Sequence, residues 1–117
     1  MSFLSNLFGP PVPKIDAAAA QAKLKEKPKP LVLDVRESSE YAAGHIAGST
    51  LIPLHQLASR MSELPKDREI ICVCASGSRS GSAAHKLTKN GYTVLNLSGG
   101  MYRWQRAGLP LKKGMGK

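Results

Sequence analysis

The stretch from Glu69 to Ser80 (EIICVCASGSRS) constrains the fold of this chain more than any other. Its first half, Ile70-Ile71-Cys72-Val73, is a continuous apolar run with β-branched residues, the composition of a strand buried on both faces of a parallel sheet. From Ser80 the pattern changes: Ala83, Ala84 and Leu87 fall on one face of a helix that Asn90-Gly91 ends. A tight turn joins the two, and Cys74 is its first residue. A thiol so placed lies at the carboxyl end of a central strand and beneath the amino end of a helix. Free backbone N–H groups and the helix dipole favour negative charge there. The sequence therefore predicts a depressed thiol pKa and a Cys74 thiolate near neutral pH.

The spacing of the turn narrows the chemistry. Cysteine phosphatases enclose phosphate in a loop of pattern C-x5-R, whereas Cys74 and Arg79 stand only five positions apart. The shorter loop closes a smaller ring of N–H donors, fitted to one sulfur atom better than to a tetrahedral oxyanion. Gly77 can take the positive φ that a ring of inward-pointing amides needs. Cys72, inside the strand, reads as a small buried hydrophobe.

One domain fits in 117 residues, with a core large enough to need no disulfide. Cys72 and Cys74 make neither a structural bridge nor a metal site, and His45, His55 and His85 are scattered. No metal or cofactor is expected, and a reducing, cytoplasmic setting is. The net charge of +9 lies largely in Lys23, Lys25, Lys27 and Lys29 and in Lys112, Lys113 and Lys117, clusters that read as a solvated face and a tail. Few aromatics accompany them, so nucleic acid is not an expected partner, while an attraction for small anions is. Met1 to Phe8 lack the basic start of a signal peptide, and no run approaches a membrane span. Gly9-Pro10-Pro11-Val12-Pro13 breaks any helix. Residues 1–13 are thus read as a tail or docking segment, 14–111 as the domain and 112–117 as a basic tail.

Asp16 caps a helix expected through about Lys27, stopped by Pro28. Leu31 to Val35 reads as a strand ending in the charged cluster Asp34, Arg36 and Glu37; Ser38 then caps a short helix with Tyr41 packed inward. Thr50-Leu51-Ile52 is a short strand, and Pro53 opens a helix carrying Leu54, Leu57, Ala58, Met61 and Leu64. Thr93 to Leu97 is the last strand, and Gly99-Gly100 leads into a final helix bearing Met101 and Trp104. This alternation implies an α/β fold with a parallel sheet covered by helices on both faces, whose ligands bind beyond the carboxyl ends of the strands. Asp34 to Glu37, Cys74 to Ser80 and Ser98 to Gly100 all fall at such ends.

The ordered set Leu33-Asp34-Val35-Arg36-Glu37, Glu40-Tyr41, Gly44-His45-Ile46-Ala47-Gly48-Ser49, Ile52-Pro53, Cys74 to Ser80, Gly99-Gly100 and Trp104 resembles a single-domain rhodanese over residues 15–110. The resemblance implies a five-stranded parallel core and a sulfurtransferase whose cysteine carries sulfur as a persulfide. On it, Cys74 takes a sulfane sulfur from thiosulfate or a persulfide and passes it to cyanide or a thiol, and the amides of Ala75, Ser76, Gly77, Ser78, Arg79 and Ser80 hold the outer sulfur. Arg79 either faces the donor's anionic group or folds back onto Asp34 to brace the loop, the preferred reading. Arg36 is expected to pair with Glu40, His45 to belong to a structural turn, Gly99 and Gly100 to admit close backbone approach, and Trp104 to form a pocket wall or a core aromatic. Cys72 either resolves a persulfide or fills the core. The small, neutral Ala75, Ser76 and Ser78 suggest an open mouth, which a protein-borne persulfide could enter as well as thiosulfate.

The main alternative is a sulfur-carrier or docking module without turnover, using residues 1–13 to engage a partner. A phosphatase or arsenate reductase is disfavoured by the Cys74–Arg79 spacing, and a nucleic-acid binder rests on charge alone.

Overall fold

A computed structural model describes residues 11–117. Its elements are β1 (Lys14–Ile15), α1 (Ala17–Lys23), β2 (Leu31–Asp34), α2 (Ser38–Ala43), β3 (Thr50–Leu51), α3 (Leu57–Arg60), β4 (Ile70–Val73), α4 (Ser78–Lys89), β5 (Val94–Leu97) and α5 (Gly100–Arg106). The five strands are parallel, in the order β1-β5-β4-β2-β3. From β2 the chain steps outward to β3, crosses back to the centre at β4, and continues to β5 on the other side. The crevice beyond the carboxyl ends of β2 and β4 is therefore where a ligand site forms in such a sheet.

Strand alternation sorts the core into two layers. Leu33, Val35, Ile70 and Cys72 meet Leu57, Ala83, Ala84 and Leu87 of α3 and α4 on one face. Val32, Ile71, Val73 and Leu97 meet Ala17, Ala20, Met101 and Trp104 of α1 and α5 on the other. All four residues of β4 are buried, as the apolar run predicts.

Several local expectations shift. Helix α1 ends at Lys23 instead of Lys27, because the next bonds, Lys25 N to Ala22 O and Glu26 N to Lys23 O, tighten to three-residue turns ahead of Pro28. The helix expected from Pro53 to Leu64 is one α-turn, α3, between two 3-10 turns, Leu54–Gln56 and Met61–Glu63. Glu37, not Ser38, caps α2: its extended backbone lets Glu40 close a capping box on it, with Glu40 Oε1 accepting from Glu37 N at 2.9 Å. Strand β1 was not anticipated, since two residues carry no readable periodicity. The expected boundary at 111 is crossed by backbone pairing of Lys112 with His45 and by Gly114 N donating to Ala42 O at 2.8 Å. The docking reading of residues 1–13 rests on a segment that, through Pro10, lies outside the described residues.

Trp104 is 1% exposed within the α1/α5 layer, and its Nε1 donates to Pro110 O at 2.8 Å. It is a core aromatic with its one polar atom satisfied, and it does not line the groove beside the Cys74 loop. Trp104→Ala should therefore lower unfolding free energy by about 3–5 kcal/mol in urea titrations followed by circular dichroism.

Candidate active site

Cys74 follows the last residue of β4, and the chain from Ala75 to Gly77 wraps around its sulfur before entering α4. Gly77 has φ +107°, a left-handed conformation that turns its N–H inward to donate to Cys74 Sγ at 3.0 Å. The Ser80 hydroxyl lies 3.3 Å from the same sulfur. Because the amides point in, the carbonyls point out, and each of three finds a partner. Met101 N donates to Cys74 O at 2.8 Å, Tyr102 N to Ala75 O at 3.1 Å, and Asn96 Nδ2 to Gly77 O at 3.1 Å. The first turn of α5 thus gives otherwise unpaired amides to the loop. Gly100 makes that approach possible: a Cβ there would lie 2.2 Å from Cys74 O.

Burial pushes the Cys74 thiol up. The Ser80 hydroxyl and the amides of Ser80, Gly77 and Ser76 more than reverse this, leaving the thiol below its ordinary value. Cys72, two residues earlier, has burial pushing it far up, with the neighbouring Cys74 adding to the effect. It is a thiol packed in the core. The expected open mouth is absent: Cys74 is 0% exposed, because the loop folds over its own sulfur. A groove of about 180 Å³ runs beside Ala75, lined by Arg36, Glu40, Gly44, Met101 and Tyr102 among others, but it does not reach Cys74.

Two ion pairs frame the loop, and both differ from expectation. Asp34 pairs with Arg36 instead of Arg79, through Nε–Oδ1 at 2.9 Å and Nη2–Oδ2 at 2.7 Å, nearly out of solvent. Two residues apart at a strand end, they share a side of the sheet, so Asp34 has an arginine nearer than Arg79. Arg36 also donates to Gly44 O at 2.9 Å, tying β2 to the following turn. Glu40 pairs not with Arg36 but with Arg79, in a fork of 2.7 and 2.8 Å. The hydrogen bonds from Arg79, outweighing partial burial, with help from Glu37 N and the charges of Arg79 and Arg36, hold the Glu40 carboxyl down at about 2. The pair's contribution to stability is fully present above the usual carboxylate range and is lost progressively as pH falls from there through about 2.

His45 is fully buried, stacked on Tyr41 at 3.7 Å with Nδ1 against Tyr41 O, and makes no hydrogen bond to the loop. Among the described residues no group of three or more His, Cys, Asp and Glu could hold a metal, and no helix is long and apolar enough to cross a membrane. Asn96 is the loop partner that sequence reasoning missed. Its signal was a polar side chain on the same strand face as Val94, where the pattern calls for an apolar one.

This fold, with a cysteine at the turn after its central strand, defines a class. The model of the rhodanese-like domain matches residues 16–107, and the chain belongs to that family. It is 41% identical over 101 residues to a sulfurtransferase of Allochromatium vinosum, covering 86% of this chain and 94% of that one. It is 34% identical over 90 residues to the thiosulfate sulfurtransferase GlpE of Pseudoalteromonas translucida, covering 76% and 86%. The crystal structure of a rhodanese-related protein from Thermoplasma volcanium is similar with a TM-score of 0.81 at 33% identity, covering 86% of this chain and 97% of that one. These likenesses support a role in sulfur transfer.

The loop over Cys74 need only open locally to admit iodoacetamide, whereas Cys72 is held inside β4, so alkylation of the folded protein should modify Cys74 and spare Cys72. Its rate should climb to a plateau at lower pH than that of an ordinary cysteine, with pKa about 8.5, because the thiolate persists down to the depressed value. Peptide mass mapping across a pH series checks both points.

Proposed function

We propose that this protein is a rhodanese-type sulfurtransferase in which Cys74 carries the transferred sulfur as a persulfide. The observation that carries the reading is the set of donors converging on one sulfur, with Gly77 N at 3.0 Å and Ser80 Oγ at 3.3 Å. The Cys74 thiolate attacks the outer, sulfane sulfur of a donor. A new S–S bond forms, the donor's bond to that sulfur breaks, and its electron pair leaves with the remainder, sulfite when the donor is thiosulfate. Negative charge passes to the outer sulfur, where amides of the Ala75–Ser80 loop stabilise it as an oxyanion hole stabilises oxygen. An acceptor, cyanide in an assay or a thiol in a cell, then attacks the outer sulfur, and Cys74 departs as thiolate.

In this reading Arg79 is a brace. Both its terminal nitrogens bond Glu40, so the loop's one cation is engaged and not turned to a donor's sulfonate. That arrangement suits a persulfide donor at least as well as thiosulfate. The covered sulfur favours a second reading, a carrier module loaded by a protein partner that opens the loop.

Intact mass after incubation with thiosulfate should show a gain of one sulfur, lost on adding cyanide and absent in Cys74→Ser. Loading by a protein persulfide alone, with no cyanide turnover, would select the carrier reading; loading that survives Cys74→Ser would sink both. In steady-state assays, Arg79→Lys should lower kcat roughly tenfold with little change in KM for thiosulfate, since a lysine cannot make the fork that shapes the loop. A raised KM with unchanged kcat would move Arg79 to donor binding.

A further inference from the structure

Asn96 lies on β5 beside Cys72 in the ladder, so its side chain shares the face of the sheet that carries Cys72 and Cys74. It is 8% exposed, and its amide is directed at the loop. Nδ2 donates to Gly77 O at 3.1 Å, and Oδ1 accepts from Ser80 Oγ at 2.6 Å. Ser80 Oγ is in turn 3.3 Å from Cys74 Sγ, and Ser80 is itself fully buried.

Counting protons fixes the directions. Gly77 O only accepts, so Asn96 turns its amino group to it and its carbonyl oxygen to Ser80. That oxygen also only accepts, so Ser80 must donate to it, yet the hydroxyl owns a single proton. While Cys74 is a thiol, the Ser80 proton stays with Asn96 and Ser80 offers the sulfur a lone pair. Once Sγ is a thiolate, the same proton has a charged acceptor on its other side, and a hydrogen bond to a charged acceptor is about twice as strong as one between neutral groups.

We propose that Asn96 is a positioning residue that holds the Ser80 hydroxyl proton while Cys74 Sγ is uncharged and yields it to Sγ as the thiolate forms. The Ser80 O–H bond does not break, since the hydroxyl only rotates about its Cβ–Oγ bond; the thiol's own proton goes to solvent, or none is involved when the thiolate is released from the persulfide. Within the persulfide cycle proposed above, on which this role rests, charge leaves Sγ for the outer sulfur as the new S–S bond forms. A donor with nowhere else to turn would stabilise the thiolate alone, deepening the ground state and slowing attack. With Asn96 beside it, the hydroxyl returns to a waiting acceptor and no buried donor is left unpaired.

The test needs no sulfur donor. The ultraviolet absorbance of the Cys74 thiolate, followed against pH in a Cys72→Ala background, reads the charge on Sγ without a reagent having to reach the covered sulfur, so its failure and a failure of sulfur loading are separate results. Asn96→Ala removes the competing acceptor and should move the profile to lower pH by about half a unit. Asn96→Asp supplies a stronger acceptor and should move it to higher pH. The Asn96→Ala shift should vanish in the Ser80→Ala background. Shifts of one sign in both variants, no shift, or an Asn96→Ala shift that survives without the Ser80 hydroxyl would overturn the proposal. Should Asn96→Ala fail to fold, Asn96→Asp decides alone: its shift must shrink in the Ser80→Ala background, and an equal shift overturns the role.

Discussion

A loop that points its N–H groups at one sulfur atom must point its carbonyls away, and buried carbonyls must be bonded. That constraint organises the carboxyl edge of the sheet. The carbonyls of Cys74 and Ala75 are taken by the first-turn amides Met101 N and Tyr102 N, and that of Gly77 by Gly81 N of its own helix together with the side chain of Asn96. The geometry around Cys74 therefore depends on two elements that follow it in the chain, β5 and α5. It also explains why residue 100 is a glycine: the helix start comes so close to the loop that a Cβ would lie 2.2 Å from Cys74 O. The same helix turns Met101 and Trp104 into the core, so the packing that fixes α5 also fixes the loop.

Charge is managed around the loop by local pairing. An arginine in the first turn of α4 opposes the helix dipole, and Glu40 offsets it. Glu40 comes from α2, where it also closes a capping box, so one carboxylate joins the starts of two helices. The second pair, Asp34–Arg36, is more deeply buried and reaches Gly44 O, holding the turn after α2 against β2. The two pairs share no atoms, and each closes a different connection around the Cys74 loop.

The sheet, its two-sided burial and the place of Cys74 were legible because they rest on signals that a strand or helix carries by itself. The β4 apolar run, the switch to helical spacing at Ala83, Ala84 and Leu87, and the glycine at 77 each act within a few residues of their own position. What the sequence hid was partner choice. By sequence Asp34 and Glu40 could each pair with either of two arginines, Arg36 and Arg79, and only the side of the strand and the placing of α2 against α4 decide between them. Asn96 was overlooked for the same reason, since its neighbours Gly77 and Ser80 are distant in sequence and adjacent only through the β4–β5 register. The pairing of Lys112 with His45 was hidden because a basic run reads as solvated, while its backbone pairs regardless of side chain. The sulfur's full coverage was hidden too, because small loop residues permit both an open mouth and a tight fold over the cysteine.

The two cysteines show how little separates a thiol whose pKa is raised from one whose pKa is lowered. They sit two residues apart on the same face, both buried, both in the layer against α4. Cys72 lies inside β4, whose backbone N–H groups are committed to the ladder with β2 and β5, so nothing is left to meet its sulfur. Cys74 lies one step past the strand, where the ladder has ended and the next free amides belong to the turn. Burial raises both thiols, and the hydrogen bonds available only at the strand end reverse it for one. The end of β4 thus decides which thiol is lowered and which is raised, and the Asn96–Ser80 pair adds a hydroxyl to the groups around the lowered one.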